Sequence, residues 1–497
     1  MTIVLLGEES LEELFYLCPA AQILKAPGIH LARKTEAVIS NYIKRHKAKP
    51  TELSTGESAQ AFAQNNPIQR PSNHRTHHST ANEWSIVQWA IQIGMPETEI
   101  QALPAYQSIH SELFYKYLAA LHTPAITNPS EDSLPTISGE ARILLIDDEY
   151  MKGWKAVFEY LLHKYGNPNI AMDVMMMEHG PEKKEFKNHA QNDIITACID
   201  KIKTGNYDLV IIDLRLCDSD FESMVRDPSK LTGIQIIQEI KKSWNKGQQI
   251  IAFTASNKIW NFSELKEAGV VDYIPKHSPE IENRGEVVLD EIIAAINTIN
   301  ECLKRKTLKT IYWNFKKIKI ALGDKSLSAR MFGPSKKLEA ESAFKLAIET
   351  MESAFEVLLS QNTNRNYLAL LLVHKALEYL IDLFLPDGRA WNIDQRVKLS
   401  TPMVRLSKNK KGVFKFATIQ NQKEEVIKSA RNRSANLIKV FCNANNAMLD
   451  CADALSTNRN NYVHPPKGTP PPNPSLKDLC SYFEVVAQIA QGIQSHP

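Results

Sequence analysis

Ala141-Arg-Ile-Leu-Leu-Ile-Asp147-Asp148 is an apolar run the length of one buried strand, and it ends in two adjacent carboxylates. A continuous apolar run, rather than an alternating one, is the pattern of a strand buried on both faces in a parallel sheet. Ligands of such sheets collect at the carboxyl ends of the strands, so two acids there suit a divalent metal or another charged group. On its own a strand ending in Asp-Asp is common; the spacing of the later strand ends makes it informative. A helix carrying Trp154, Val157, Phe158, Leu161 and Leu162 comes next, then a strand within Ile170 to Met177 and a helix from Ile194 to Lys203. Tyr207 to Asp213 reads as a third strand, Gln249 to Ser256 as a fourth and Val270 to Lys276 as a fifth. This alternation predicts an α/β fold with a doubly wound, five-stranded parallel sheet. Its strand ends deliver Asp147 and Asp148, Asp213, Thr254 and Lys276 to one edge.

That set has a chemical logic. Three carboxylates can hold a hard cation, normally Mg²⁺, with water completing the octahedron. One carboxylate can also attack a phosphoryl donor and form an acyl phosphate. A lysine ammonium and a hydroxyl can neutralise and hydrogen-bond the transferring group. Each residue alone has a plainer explanation, Lys276 as a surface lysine for instance; their order along successive strand ends argues against chance.

Residues 141–300 resemble a response-regulator receiver domain, the phosphoacceptor half of two-component signalling. The resemblance runs through Ile146-Asp147-Asp148-Glu149, Ile212-Asp213-Leu214, Phe253-Thr254-Ala255 and Tyr273-Ile274-Pro275-Lys276. It implies that Asp213 is phosphorylated by a histidine kinase and that Asp147, Asp148 and Asp213 bind Mg²⁺ together with the backbone carbonyl of Arg215. Thr254 and Tyr273 would be the switch pair, and Lys276 the lysine that pairs with the phosphoryl group. Two departures stand out. The family usually has Pro a few residues after the phosphoacceptor, whereas here Cys217 is followed by an insertion, Asp218 to Lys230, before Thr232-Gly233. The segment from His179 to Asn192 is also long. Long-looped receivers of this kind are similar to those of bacterial defence operons.

With 497 residues the chain exceeds one core and should hold several domains. Fifty-nine Lys and Arg against 56 Asp and Glu leave a net charge of only +3, so any basic surface must be local. Seven scattered cysteines without a Cys-x-x-Cys pair favour reduced thiols. No signal peptide or membrane span is legible, and the expectation is a cytoplasmic protein. Residues 1–135 read as an N-terminal module, mixed α/β or mostly helical, of unassigned role. It has a strand at residues 2–6, helices at 37–47 and 84–122, and a polar stretch between them. His74, His77 and His78 in that stretch could bind a metal, but a solvated loop explains them better.

Beyond the receiver-like domain at 140–300, Leu289, Ile292, Ile296, Ile299 and Leu303 form a heptad-like seam able to pair with a second chain. The basic continuation, within 301–334, reads as a connecting helix. Residues 335–497 lose strand character and predict an all-α bundle of four main helices. Between the last two helices stands Arg459-Asn-Asn-Tyr-Val-His464-Pro465-Pro466, where the prolines should end the helix near His464. An arginine can steady a phosphodiester, and a histidine can move protons at the 2′-hydroxyl or the leaving oxygen without a metal. A capping Arg and a loop His would explain the residues equally well.

Arg-Asn-x-x-x-His between helices of a C-terminal bundle is similar to the signature of HEPN domains, many of them metal-independent endoribonucleases of toxins and defence proteins. The resemblance implies Arg459, Asn460 and His464 as site residues, RNA as substrate and a homodimer through the bundle and connecting helix. Residues 395–423 add basic side chains without an acid, among them Arg396, Lys398, Arg405, Lys408, Lys410 and Lys411. With Phe414 and Phe416 interleaved, they suit single-stranded nucleic acid, or simply a solvated loop. The expectation is a phosphorylation-controlled ribonuclease effector, with antiphage defence as a setting. The alternative is a non-enzymatic signalling protein whose bundle only dimerises or docks. A DNA-binding regulator ranks third, since no helix-turn-helix reader is legible.

Overall fold

The computed structural model describes residues 3–7, 29–33, 77–111, 134–179, 182–183, 186, 189–221, 227–255, 265–276, 285–360, 362–385, 404–408, 414–418, 430–442, 446–464 and 473–496. The expected helix at 37–47, His74, Arg396, Lys398, Lys410 and Lys411 lie outside them. The chain divides into an α/β unit, Met1–Trp244 with Gln249–Leu303, and a helical unit, Asn245–Gln248 with Lys304–Pro497. No described helix is long and apolar enough to cross a membrane.

In the α/β unit, strands β1 (Ile3–Gly7) and β2 (Ile29–Arg33) pair in parallel. Helices α1 (His77–Gln92), α2 (Glu97–Ala102) and α3 (Pro104–Ser111) come after them. Then β3 (Ala141–Ile146), α4 (Trp154–Tyr165), β4 (Ile170–Val174), α5 (Gln191–Gly205), β5 (Leu209–Ile212), α6 (Thr232–Glu239), β6 (Gln249–Thr254), β7 (Asp272–Pro275) and α7 (Gly285–Lys304) alternate. The five strands form one sheet in the order β4-β3-β5-β6-β7, every neighbouring pair parallel. The sequence-based expectation of a five-stranded parallel sheet is met.

Burial explains the apolar runs. Strands β5 and β6 are buried along their whole length, whereas the edge strands β4 and β7 include half-buried and exposed residues. Alternate residues feed two cores. Leu144, Ile146, Val210 and Ile212 face Ile194, Cys198, Ile234 and Ile237 of α5 and α6. Ile143, Leu145, Ile211 and Phe253 face Trp154, Phe158, Ile292 and Ile296 of α4 and α7.

The second core also takes in α1. Trp84, Ile86, Trp89, Ala90 and Ile93 belong to the same cluster, and Trp89 meets Trp154 edge-on with ring centroids 5.6 Å apart. Trp154 meets Phe253 at 4.5 Å in the same manner. Residues 77–111 therefore do not carry a core of their own, although the sequence reads as a separate module there. His77 and His78, expected in a loop, open α1.

The helical unit contains α8 (Leu308–Leu322), α9 (Leu327–Leu359), α10 (Arg365–Phe384), α11 (Ala430–Phe441), α12 (Asn446–Val463) and α13 (Leu476–Ser495). They share one core. The expected connecting helix is not continuous, because α7 stops at Lys304 and α8 starts at Leu308. Leu308, Ile311, Phe315, Ile318 and Leu322 are buried in the bundle's own core, so the basic segment is an amphipathic member of the bundle. Helix α9 bends at Gly333, whose φ of 68° a side chain would strain; Pro334 then starts the second half, where its fixed φ suits a first helical turn. Helix α13 opens on a capping box, Ser475 with Asp478, made in both directions.

One expectation is corrected. The C-terminal half does contain strands: β8 (Val404–Lys408) and β9 (Phe414–Thr418) pair antiparallel. Val-Arg-Leu-Ser-Lys and Phe-Lys-Phe-Ala-Thr each carry the period-two alternation of a strand, which the density of lysines hides in a reading by charge. Arg405 and Lys408 stand opposite Ala417 and Phe414 in that ribbon.

Candidate functional site

The carboxyl ends of β3 and β5 bring Asp147, Asp148 and Asp213 together, each offering an oxygen within 4.8 Å of the others. Asp147, Asp213 and Lys276 are buried. The Lys276 ammonium, just past the end of β7, donates to Asp147 Oδ2 at 2.7 Å and also to Asp213. It stands 4.6 Å from the centroid of the Phe253 ring. Thr254 is buried at the end of β6, and its carbonyl accepts from the Lys276 backbone N–H at 2.8 Å. Tyr273 pairs with Ala252 in the register and is 40% exposed. The backbone N–H of Arg215 donates to Asp213 Oδ1 at 3.2 Å.

Charge decides what this site can hold. Burial pushes the Asp213 carboxyl up to about 6, and Asp147 adds to the rise, against the opposing pull of Lys276 and the Arg215 N–H. Burial and then Asp147, Glu149 and Asp213 hold Asp148 well above the usual carboxylate range. Burial disfavours the Lys276 ammonium, but Asp147 and Asp213 outweigh it and raise its pKa. Three acids against one ammonium thus leave an excess of negative charge in an all-oxygen donor set, with Asp147 and Asp213 buried and Asp148 half-buried. Such a set fits a hard divalent cation.

The loop after β3 is gripped by α1. Asn82 donates to Glu149 and accepts from the Trp154 indole N–H. Lys152 bridges Glu83 at 2.9 Å and Glu149 at 2.7 Å. Gly153 has φ 148°, and a Cβ there would fall 2.6 Å from Ile86. These contacts were not legible in the sequence, since nothing in the spacing of residues 82–86 ties them to 149–154. Asn82→Ala leaves the buried Trp154 N–H without its acceptor and is expected to cost about 1–3 kcal/mol. Urea unfolding followed by tryptophan fluorescence measures it.

No family model matches this chain. No curated protein matches it either.

In the helical unit, α12 ends at Val463, as the prolines after it require, and the His464 N–H closes a last helical turn on Asn460 at 2.7 Å. Arg459 is half-buried and donates to Asn460 Oδ1 at 3.1 Å. His464 is exposed. Five residues on at 3.6 per turn, it lies about 140° round the helix from Arg459, so one chain does not present the two on one face. Arg459 instead neighbours His374 of α10. His374 is buried, its Nδ1 stands 3.4 Å from Glu378 Oε1, and burial lowers its pKa, with Arg459 and Lys375 pulling the same way against Glu378. Tyr367 and Tyr462 stack at 4.7 Å between the same two helices. The signal for His374 was present: a histidine inside an apolar stripe with a glutamate four residues later.

Proposed function

We propose that the α/β unit is a phosphoacceptor of the response-regulator receiver type and that the helical unit is an HEPN-like, metal-independent endoribonuclease under its control. The observation that carries the reading is the acidic triad at the carboxyl edge of a five-stranded parallel sheet, with Lys276 bridging Asp147 and Asp213. Asp213 is the nucleophile. One of its oxygens forms a bond to phosphorus as the bond to the donor, a kinase phosphohistidine, breaks, and the departing imidazole takes up a proton. Bound Mg²⁺ would supply positive charge to the phosphoryl oxygens. Lys276 balances the nucleophile's charge and Thr254 offers a hydroxyl donor.

For the helical unit, Arg459 is the phosphate-steadying group and His464 the proton carrier, with Asn460 holding the guanidinium. In RNA cleavage the 2′-oxygen bonds to the adjacent phosphorus, the 5′-oxygen leaves, and one proton moves from the first to the second. A homodimer through the bundle would complete the cleft, with antiphage defence as a setting. Arg405 and Lys408 on β8 are candidates for RNA contact. His464→Ala and Arg459→Ala are each expected to lower RNA cleavage by about 10²-fold or more, read as cleavage of a labelled RNA in EDTA.

The position of His464, exposed and about 140° round the helix from Arg459, favours a second reading. In it the α/β unit accepts phosphate and the bundle only dimerises or docks a partner. RNA cleavage equal in wild type and both variants selects that reading.

A further inference from the structure

The loop behind Asp213 is organised by a residue outside the acidic triad. Asp220, in the short turn Asp218–Phe221, is 1% exposed. Its Oδ2 accepts from the backbone N–H of Leu216 at 2.8 Å and of Cys217 at 3.2 Å, with Cys217 Sγ at 3.6 Å. Its Oδ1 accepts from the Thr232 N–H and hydroxyl, both at 3.0 Å. The Arg215 guanidinium donates to the Asp220 carbonyl. One buried carboxylate thus ties the residues just after Asp213 to the first residue of α6.

The start of α6 is in turn pressed onto Asp213. The Gly233 N–H donates to the Leu214 carbonyl at 3.1 Å, and a Cβ on Gly233 would fall 2.2 Å from the Asp213 carbonyl oxygen. A single carboxylate here collects four backbone and hydroxyl donors. Hydrogen bonds to an ionised acceptor are about twice as strong as neutral ones, so this clamp is a stiff one.

We propose that Asp220 is a positioning residue for the acidic site. It fixes the Arg215–Cys217 backbone so that the Arg215 N–H stays on Asp213 and the backbone after Asp213 is preorganised for a cation. The inference rests on reading the triad as a cation site. Asp220→Asn retains the shape but turns an amide toward donors that need an acceptor, since an asparagine accepts through one oxygen only.

The test is a Mg²⁺ titration of the full chain, followed by calorimetry and by labelling with acetyl phosphate. Asp220→Asn is expected to weaken Mg²⁺ binding about tenfold or more, the range for groups that orient metal ligands, while labelling at saturating Mg²⁺ stays near wild type. Asp227→Ala, which removes the Ser229 contacts of the same insertion, is expected to leave the affinity unchanged. Should Asp220→Asn fail to fold, Thr232→Val removes the hydroxyl's bond to Asp220 together with its contacts to Cys217 and Gln191, and a severalfold loss of affinity is expected. A folded Asp220→Asn or Thr232→Val that binds Mg²⁺ as wild type does, even with a lower melting temperature, overturns the proposal and leaves the cation site standing. A wild type that binds no Mg²⁺ overturns both.

Discussion

Asp213→Asn is expected to abolish labelling by a small phosphodonor in the presence of Mg²⁺, without loss of folded protein. The Asp213 carboxylate accepts from the Lys276 ammonium, which also donates to Asp147, and on the proposed reading it is the group that forms the acyl phosphate. An amide oxygen in its place is a poor nucleophile, so the loss is complete rather than graded. Stability should move the other way. In the absence of a cation the triad holds three carboxylates around one ammonium, and burial together with Asp147 already pushes Asp213 up to about 6. Removing one charge relieves repulsion while Asp147 still pairs with Lys276. The expected outcome is an unlabelled protein with a melting temperature equal to or above that of the wild type. Label that survives in Asp213→Asn, or moves to a hydroxylamine-resistant linkage in the wild type, rules out this residue as the acceptor.

How far the sequence announces this site depends on how local each signal is. Strand ends were legible because buried parallel strands are short, apolar and bounded, so Asp147, Asp213, Thr254 and Lys276 could be placed from their own neighbours. Asn82, Glu83 and Ile86 could not. They reach the site through packing of α1 on a helix and loop some 70 residues away, and a helix apolar over a wide arc does not say what covers it. Asp220 sat inside an insertion whose length was evident, but its bonds to Leu216, Cys217 and Thr232 depend on how the loop returns. In the bundle, the stripe Leu308, Ile311, Phe315, Ile318 and Leu322 had the spacing of a core helix. Its lysines make the segment read as a connecting helix, whereas the apolar period decides the packing. Charge marks which face is wet, whereas periodicity marks which face is buried.

Lys276→Met should be strongly destabilising, and its cost should depend on pH. Lys276 is 3% exposed and its ammonium lies between Asp147 and Asp213, so its loss strands two buried carboxylates. Breaking a buried pair on one side costs about 3–5 kcal/mol. The direction with pH is set by Asp213. Its folded pKa of about 6 lies above the unfolded value near 3.8. The folded chain therefore binds more protons than the unfolded chain between those values. Stability from this group is fully present below the unfolded pKa and is lost as pH rises through about 6, a change of roughly 3 kcal/mol for a two-unit shift. Asp148, raised by burial and by the same neighbours, acts in the same sense. Without Lys276 the Asp213 carboxyl rises further, so the cost should be smaller at about pH 5 than above pH 7, while the lost pairing with Asp147 contributes at both. A divalent cation supplies the missing charge only once the carboxylates ionise, so stabilisation by Mg²⁺ should grow across the same interval. Urea unfolding at pH 5 and pH 8, with EDTA and with Mg²⁺, reads all four corners. A Lys276→Met cost or a Mg²⁺ gain that is equal at the two pH values would mean that the acidic triad is not the group being titrated.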